Sequence, residues 1–315
     1  MPAVLVLGSV NVDLVIRNDR LPRPGETIIG GEFYRAAGGK GANQAVAAAR
    51  ATARAQSVAF VAAVGDDDFG REALAGLERD GIDTRHVLRV ARQPTGAALI
   101  LVGGGENLIS VTSGANATLS PTRIDALPDA LFATAKVLLA GFESPLPAVL
   151  RGLQRAKHAG LLTILNPAPA VPLAMCRDIL PLIDVLVPNE HEAALLTDRR
   201  VTSAADAIAA GRVLQQAGAK EVIVTLGAHG AVWVAADAVH IPARPVAAVD
   251  TVAAGDAFCG AFAGALAEGR STLDAIHFAS AAAAISVTRL GAQPSLPQRD
   301  EITSLLAQAP ARSPN

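Results

Sequence analysis

The sequence predicts an α/β protein, in which helices cover both faces of a mostly parallel central sheet to give a three-layer α/β/α arrangement with a small β-sheet lid. Short runs of Val, Ile and Leu alternate with longer Ala- and Leu-rich runs of helical period, and this alternation is typical of parallel sheets. Apolar residues make up 51% of the 315 residues, which is enough for a large core. Two other segments have strand-like patterns that interrupt the alternation, and these are assigned to the lid.

The central elements follow one another along the chain as short strands and longer helices. Strand-like runs occupy 4–7, 58–64, 136–140, 161–165, 184–187, 221–226 and 231–235. Helix-like runs occupy 41–54, 69–80, 147–158, 203–217, 256–268 and 272–288. The domain is expected to span 1–309, before a frayed tail at 310–315.

The lid is predicted from segments 11–35 and 95–113. The first has apolar residues on both sides of a Pro-Arg-Pro-Gly turn, and the second has two alternating runs, 96–102 and 107–112, joined by three glycines. Strands from these distant segments are expected to pair into a second sheet that covers the active site. Ordinary edge hairpins are the alternative interpretation.

Charge and cysteine content argue against several classes of protein. The formal net charge is −2 and there is no basic run, so the usual signature of nucleic-acid binding is missing. Cys176 and Cys259 match no metal-binding or disulfide spacing and are expected to be buried thiols in a reducing compartment. The first apolar run has no basic leader, and no apolar stretch approaches the roughly 18 residues of a membrane span. We therefore expect a cytoplasmic protein without nucleic-acid or membrane partners.

The strongest chemical signal lies in residues 249–260. A strand-like stretch ends at Asp250, small residues follow, and a helical pattern begins near Asp256. Small side chains let the backbone approach a ligand, and the free N–H groups at a helix start attract phosphate. Asp256 is placed there either to accept a proton from an attacking hydroxyl group or only to cap the helix. The sequence contains no Gly-x-x-x-x-Gly-Lys-Ser/Thr pattern, which argues against a P-loop NTPase.

Two earlier segments have the composition of a polar ligand site. Residues 37–44 place three glycines around Lys40 ahead of Asn43, so their backbone can lie close to a ligand, although an ordinary turn has the same composition. Asn11 and Asp13 follow the first strand, where α/β proteins bind ligands, and strand alternation puts both on one face. They suit a polyhydroxylated ligand, with turn formation as the alternative.

Two later loops have features of a nucleotide site. Asn189 and Glu192, at i and i+3 of a helix start, face the same side. Oxygen ligands of this kind suit Mg²⁺ through water, and a helix cap with an acidic first turn is the alternative. The turn 225–230 has two glycines that allow a nucleotide to approach, but a simple hairpin turn has the same composition. His229 is expected to be an exposed turn residue.

Taken in this order, these segments resemble the ribokinase branch of the PfkB-type carbohydrate kinases over essentially the whole chain. The run 38–45, Gly-Gly-Lys-Gly-Ala-Asn-Gln-Ala, is similar to the family's N-terminal signature. The run 250–260 is similar to its C-terminal signature, which is highly specific. Residues 166–170 and 288–295 resemble the ribokinase branch rather than the wider family.

The resemblance implies a role for each matching residue. Sugar-binding positions would be Asn11, Val12, Asp13, Gly39, Lys40, Gly41, Ala42, Asn43, Glu143 and Asp256. Nucleotide-binding positions would be Asn189, Thr225, Leu226, Gly227, Ala228, His229, Gly230, Gly255, Asp256 and Ser280. Asp256 would be the general base, and an anion hole would be formed by the backbone amides of Ala253, Ala254, Gly255 and Asp256. A K⁺ site would comprise Asp250, Val252, Ser286, Arg289, Gly291 and Ser295, with Mg²⁺ reached through water by Glu192.

The activity implied is ATP-dependent phosphorylation of D-ribose at O5 to give D-ribose 5-phosphate and ADP. A 2-deoxyribose kinase or another sugar kinase of the family is the nearest alternative, because it would keep nearly every motif. A non-catalytic sugar-binding regulator would lack the base or the anion hole, and the motif for both is present at 253–256. A Rossmann dehydrogenase would need Gly-x-Gly-x-x-Gly after the first strand, and the run 8–11, Gly-Ser-Val-Asn, does not supply it. Ser280 stands where this branch often has a histidine near the adenine, and serine cannot stack on the base. The resemblance also implies a homodimer formed through the lid.

Overall fold

The computed structural model describes residues 2–308, which form a three-layer α/β/α domain carrying a smaller sheet. The predicted tail at 310–315 lies outside the described residues. Within them the large sheet has nine strands, in the spatial order Ala238–Ile241 (β13), Ala231–Val234 (β12), Glu221–Thr225 (β11), Val185–Leu186 (β10), Leu162–Asn166 (β9), Val137–Gly141 (β8), Val4–Leu7 (β1), Val58–Gly65 (β4) and Val87–Val90 (β5). The strands are parallel from β11 to β5, and β12 and β13 are antiparallel to their neighbours.

Helices cover both faces of this sheet. They are Lys40–Ala51 (α1), Asp68–Arg79 (α2), Pro121–Asp125 (α3), Asp129–Thr134 (α4), Leu146–His158 (α5), Leu173–Cys176 (α6), Glu190–Thr197 (α7), Ala204–Gln216 (α8), Ala254–Ala267 (α9), Thr272–Ser286 (α10) and Arg299–Ala307 (α11). Successive residues of β1 enter two separate buried clusters, because neighbouring side chains of a strand point to opposite faces. None of the helices in residues 2–308 combines the length and the apolar character that a membrane crossing requires.

Helices α1 and α9 pack against each other unusually closely. A Cβ atom at Gly260 of α9 would lie 2.4 Å from the backbone oxygen of Gln44 in α1. Only glycine fits at this crossing, since real Cβ atoms do not approach an oxygen so closely. The absence of a side chain at Gly260 therefore brings the start of α1 and the start of α9 within reach of each other.

The smaller sheet confirms that the two segments which break the alternation pair with each other. Its strands, in the order β3-β2-β6-β7, are Glu32–Gly38 (β3), Asn11–Arg17 (β2), Gly96–Gly103 (β6) and Glu106–Thr112 (β7). β2 is antiparallel to β3 and parallel to β6, so the sheet joins the two segments instead of leaving them as separate hairpins. Strand β3 runs to Gly38, beyond the predicted end at 35, and leads directly into the glycine-rich start of α1.

Candidate active site

A cavity of about 350 Å³ lies where several strands of the large sheet end. The ends of β9, β10 and β11 contribute to its wall together with the beginnings of α1, α7 and α9, and this edge is where open α/β sheets bind ligands. Its lining residues are Lys40, Asn166, Val187, Asn189, Glu192, Thr225, Thr251, Val252, Ala253, Ala254, Gly255, Asp256 and Cys259.

Asp256 is a buried carboxylate among the residues that line this cavity. It is the third residue of α9 and only 5% exposed. Its two oxygens accept hydrogen bonds of 3.0 Å from Asn43 Nδ2 and Gln44 Nε2. Burial raises the pKa of Asp256 above its usual range, while the charge of Lys40 and the two amide donors oppose that rise. The helix-cap alternative is wrong, because the N-cap of α9 is Ala253 and no side chain caps it.

The beginning of α9 lines the cavity. Ala253 adopts a left-handed conformation with φ of 60°, which turns the chain sharply from Thr251 into the helix. The first N–H groups of a helix have no acceptor inside it. Ala253, Ala254 and Gly255 line the cavity beside Asp256. The Ala254 N–H donates to the Thr251 oxygen at a long 3.3 Å, and the other N–H groups and the positive end of the helix dipole suit an anionic group.

The ammonium group of Lys40 lies among carboxylates. Burial lowers the pKa of Lys40, but the charges of Asp256, Glu143 and Glu192 outweigh it, and the net shift is upward. Lys40 is the first residue of α1, and its N-cap Gly39 has φ of 89°, a conformation that favours glycine. The glycine before Lys40 therefore turns the lid strand into the helix at the position that brings the ammonium group into the cavity.

Glu143 follows β8, and two protein donors hold one oxygen of its carboxylate in place. Its Oε2 accepts a hydrogen bond from the hydroxyl of Ser9 and a 2.9 Å bond from the backbone N–H of Lys40. Both donors come from segments next to the predicted sugar-binding residues. The structure thus brings Glu143 to Lys40 although 103 residues separate them in sequence.

Asn11 and Asp13 lie on the first strand of the smaller sheet, two residues apart as predicted. The Nδ2 of Asn116 donates to Asn11 Oδ1 at 2.9 Å, which leaves the amino group of the Asn11 amide for a ligand. The same Asn116 side chain exchanges two hydrogen bonds with the backbone of Val10. Burial, followed by the charge of Glu143, raises the pKa of Asp13 to about 6.

Asn189 and Glu192 form the helix cap that was the alternative prediction for them, and they also lie at the cavity. Asn189 Oδ1 accepts from the backbone N–H of Glu192 at 2.8 Å, and Glu192 Oε2 accepts from that of Asn189 at 2.9 Å, which completes a capping box at the start of α7. Both residues also line the cavity. Burial is the main cause that raises the pKa of Glu192.

The turn at 225–230 touches the cavity only through Thr225. Leu226 is buried at 3% exposure, and Gly227–His229 forms a single 3₁₀ turn between antiparallel β11 and β12. His229 is exposed, as predicted. Ser280 lies on α10, half-buried and outside the lining of the cavity.

The segments predicted to hold K⁺ come together behind the start of α9. The Asp250 carboxylate accepts from the backbone N–H of Val252 at 3.0 Å and from that of Gly291 at 2.9 Å. The hydroxyls of Ser286 and Ser295 lie 3.1 Å apart. Arg289 instead directs its side chain to an ion pair with Glu301, so only its backbone is left for a cation. Among residues 2–308 no cluster of three His, Cys, Asp or Glu side chains with metal-binding geometry occurs.

Sequence reasoning assigned no role to four residues that complete the site. Ser9 holds Glu143, Asn116 holds Asn11, and Gln44 and Asn166 form a chain to Asp256. Ser9, Gln44 and Asn166 lie inside recognised motifs, but no pattern assigns them partners. Asn116 has no signal at all, because its partner is 105 residues away in sequence.

Comparison with known proteins gives a consistent result. Residues 1–299 match the model of the pfkB family of carbohydrate kinases. The chain is 43% identical to a ribokinase of Haemophilus influenzae over 307 residues, which are 96% of this chain and 98% of the relative. A ribokinase structure from Thermotoga maritima is similar with a TM-score of 0.87 at 36% identity, covering 98% of this chain and 100% of that one. An Arabidopsis thaliana ribokinase complexed with ribose and ATP has a TM-score of 0.88 at 31% identity, covering 98% and 99%.

Proposed function

The chain belongs to the pfkB family of carbohydrate kinases, and from that premise we propose that it transfers the γ-phosphoryl group of ATP to O5 of D-ribose. The products are D-ribose 5-phosphate and ADP. The observation that carries this proposal is the buried Asp256 carboxylate, held by two amides at the phosphate-binding start of α9. The ribokinases that align over nearly the whole chain support ribose as the sugar.

The mechanism uses Asp256 as the general base. Its ionised carboxylate accepts the proton of the sugar 5-hydroxyl as the oxygen attacks the γ-phosphorus in line with the leaving ADP. The N–H groups at the start of α9 stabilise the charge of the transferring phosphoryl group without reorganising. Lys40 adds a fixed positive charge beside Asp256 and Glu192. Catalysis therefore rests on placement and electrostatics rather than on a covalent intermediate.

The sugar is bound by polar residues from the smaller sheet and from the three-layer part that contains the large sheet. Asn11 and Asp13 come from β2, while Lys40, Asn43 and Glu143 come from the domain. The Oδ1 of Asn43 is buried and has no hydrogen-bond partner among the described residues. A buried acceptor without a donor costs free energy, and a sugar hydroxyl is a donor of the right kind.

The charges of the cavity support a requirement for Mg²⁺. The carboxylates of Glu143, Glu192 and Asp256 interact with the ammonium group of Lys40, and when ionised they outnumber it before the polyanionic ATP arrives. Glu192 uses Oε2 in the capping box, and its other oxygen suits a water ligand of the ion. The metal ion would neutralise the phosphate charge there.

The contacts of Asp250 support the K⁺ proposal in the same way. Asp250 joins the loop before α9 to the 286–295 segment through the backbone of Val252 and Gly291. Both segments offer carbonyl oxygens, which K⁺ prefers to side-chain nitrogen. A cation between them would hold the loop that shapes the anion hole without contacting the sugar.

Apolar side chains support a homodimer formed through the smaller sheet. Leu99, Leu108, Ile109 and Val111 on β6 and β7 are each more than half exposed in the single chain. The register of β6 and β7 places Leu99 and Leu108 on one face of the sheet and Ile109 and Val111 on the other. Exposed apolar residues concentrated in one small sheet commonly mark a protein–protein interface. The cytoplasmic location, for its part, stays a prediction from the two free cysteines, Cys176 and Cys259.

The experiment that tests the activity is an ADP-release assay over D-ribose, 2-deoxyribose, fructose, adenosine and 2-keto-3-deoxygluconate. We expect the highest kcat/KM with D-ribose, because the polar site can pair with the 2-hydroxyl that deoxyribose lacks. A larger kcat/KM for another sugar would overturn the ribose assignment and leave the kinase assignment standing. No ADP release with any sugar, together with measurable ribose binding, would instead indicate the sugar-binding regulator.

The affinity for ribose is expected to fall as the pH drops through about 6, the value to which burial and Glu143 raise the pKa of Asp13. The ionised carboxylate accepts hydrogen bonds from the sugar, and below its pKa it becomes neutral, so Kd should rise by up to about tenfold per pH unit. Calorimetric titration of ribose without ATP between pH 5 and 8 measures this. Asp13→Asn is the matched control, with weak binding that changes little over the range. Equal ribose affinity of the native protein at pH 5 and 7.5 would contradict the prediction.

Replacing K⁺ by Na⁺ in the assay is expected to lower kcat several-fold and to lower the melting temperature, because a cation that binds only the folded state stabilises it. Steady-state kinetics and thermal denaturation at constant ionic strength measure the two effects. The response should shrink in Asp250→Asn, which removes a charged acceptor for the backbone N–H of Val252 or Gly291. Identical kcat and melting temperature in K⁺ and Na⁺ would count against the cation site.

A further inference from the structure

A chain of side-chain amides leads from the end of β10 to the Asp256 carboxylate. The Nδ2 of Asn166, at the end of β9, donates to the backbone oxygen of Val187 at 2.9 Å. The Oδ1 of Asn166 accepts from Gln44 Nε2 at 3.0 Å. The same Gln44 nitrogen donates its second hydrogen to Asp256 Oδ1 at 3.0 Å. Three elements of the domain are thus connected to one oxygen of the carboxylate.

The direction of every amide in this chain is fixed. The oxygen of Val187 only accepts, so the amino group of Asn166 must face it and the carbonyl group must face Gln44. Gln44 must then present its amino group, and turning either amide would set two acceptors or two donors against each other. Gln44 is 1% exposed and Asn166 is 7% exposed, so water cannot readily replace a lost partner.

We propose that Gln44, held in direction by Asn166 and the Val187 carbonyl, is a positioning residue that fixes the Asp256 carboxylate for proton transfer. This inference rests on the proposed function, in which Asp256 is the base. A carboxylate can rotate about its Cβ–Cγ bond, and a misplaced oxygen meets the sugar hydroxyl at the wrong angle. The amides of Gln44 and Asn43 hold one oxygen each and suppress that rotation.

The same hydrogen bond favours the ionised form of the base. Burial raises the pKa of Asp256, and the donors Asn43 and Gln44 counteract that effect. Without the Gln44 donor the carboxylate would bind a proton at higher pH. A residue that only fills space would change neither the ionisation of Asp256 nor its orientation, and these are therefore the properties to measure.

The test is Gln44→Met, which keeps the length of the side chain and removes its donors. We expect kcat with ribose and ATP to fall between about 10- and 100-fold, with little change in KM for either substrate. The acid limb of the kcat profile should move to higher pH, and the loss should persist on the alkaline plateau, where ionisation no longer differs. Should Gln44→Met not fold, Gln44→Glu keeps both the length and the polarity and replaces the donor by an acceptor. It should lose at least as much activity near neutral pH.

Thr163→Val on β9 is the matched control for general loss of stability. Thr163 is fully buried, and its hydroxyl is hydrogen-bonded to the backbone oxygen of Leu182 and to the carboxylate of Asp184. It does not line the cavity. This change should lower the melting temperature and leave kcat per folded molecule and its pH profile unaltered. If Gln44→Met likewise lowered only the melting temperature and left kcat and its pH profile unaltered, Gln44 would contribute packing alone and the proposal would be overturned.

A double-mutant cycle decides whether Gln44 acts through Asp256. In the Asp256→Asn background, Gln44→Met should cost less than threefold in the residual rate, because the group it positions is gone. The full 10- to 100-fold loss in both backgrounds would overturn the proposal, as would equal kcat and pH profile in Gln44→Met and the native enzyme. Absence of turnover by the native protein would instead overturn the proposed function, so the two failures are distinguishable.

Discussion

Replacing Asp256 by asparagine is expected to lower kcat with ribose and ATP by between about 100- and 10,000-fold, while KM for both substrates changes little. An amide cannot take the proton of the attacking hydroxyl, and general bases contribute rate factors of this size. The N–H groups at the start of α9 and the charge of Lys40 remain in place, so the residual rate should still exceed that of the uncatalysed reaction. Steady-state kinetics with quench-flow detection of ADP measure both parameters.

The fold should tolerate this change, which makes the kinetic result interpretable. The introduced amide sets a donor against one of the two amide donors, Asn43 or Gln44. Asn43 has a buried Oδ1 without a partner among the described residues, and in the absence of sugar a rotation of its amide would give the new donor an acceptor. The melting temperature should accordingly stay close to that of the native protein. A folded Asp256→Asn variant with near-native kcat would contradict the assignment of Asp256 as the general base.

Replacing Lys40 by methionine is expected to lower kcat/KM for ATP by about 100- to 1,000-fold, in the range found when a preorganised electrostatic group is removed. The ammonium group offsets the negative charges of Asp256, Glu143 and Glu192. Without it, repulsion between these carboxylates and the phosphates of ATP would oppose the binding of ATP. The acid limb of the rate profile should also move to higher pH, because the Lys40 charge lowers the pKa of Asp256. Initial rates over ATP concentration and pH measure both effects.

Lys40→Arg is the matched control, because it keeps the charge and changes only its shape and reach. It should retain far more activity than Lys40→Met, and its acid limb should stay near that of the native enzyme. The melting temperature of Lys40→Met should fall more at pH 8 than at pH 5, since protonation relieves the uncompensated carboxylates at low pH. If both variants lose the same activity, the charge of Lys40 is not what the site uses.

Much of the fold follows from local sequence, and its misses have identifiable causes. The long periodic helices and the buried central strands were predicted within a few residues, because apolar periodicity reports directly on a buried face. Helix α1 ends at Ala51 rather than at 54, since Thr52 has an extended backbone. The strands Val87–Val90 and Ala238–Ile241 were not predicted, because edge strands of four residues have too few buried positions to form a pattern.

In the candidate site too, local sequence predicts some residues, and others depend on how distant elements pack. Asp256, Asn189 and Lys40 follow strand ends or begin helices, and local sequence places such residues at the carboxyl edge of a sheet. The partners that orient them lie on other elements, as with Asn116 beside Asn11 and Asn166 beside Gln44. A single sequence cannot reveal such contacts, because they depend on how distant elements pack. The helix-cap alternative for Asp256 likewise needed the structure, which shows Ala253 at the N-cap.

The division of the sugar site between two sheets has a thermodynamic consequence. Asn11 and Asp13 belong to the smaller sheet, whereas the cavity at the start of α9 is lined by residues of the domain alone. Ribose that contacts both parts binds in proportion to the fraction of molecules in which the two parts are correctly placed. Substitutions on β7, which carries none of the predicted sugar-binding residues, would therefore weaken the binding of every sugar by the same factor and leave the ranking among sugars unchanged. Affinity common to all sugars would in this way be adjustable through β7, apart from the selectivity set by the residues that contact the sugar.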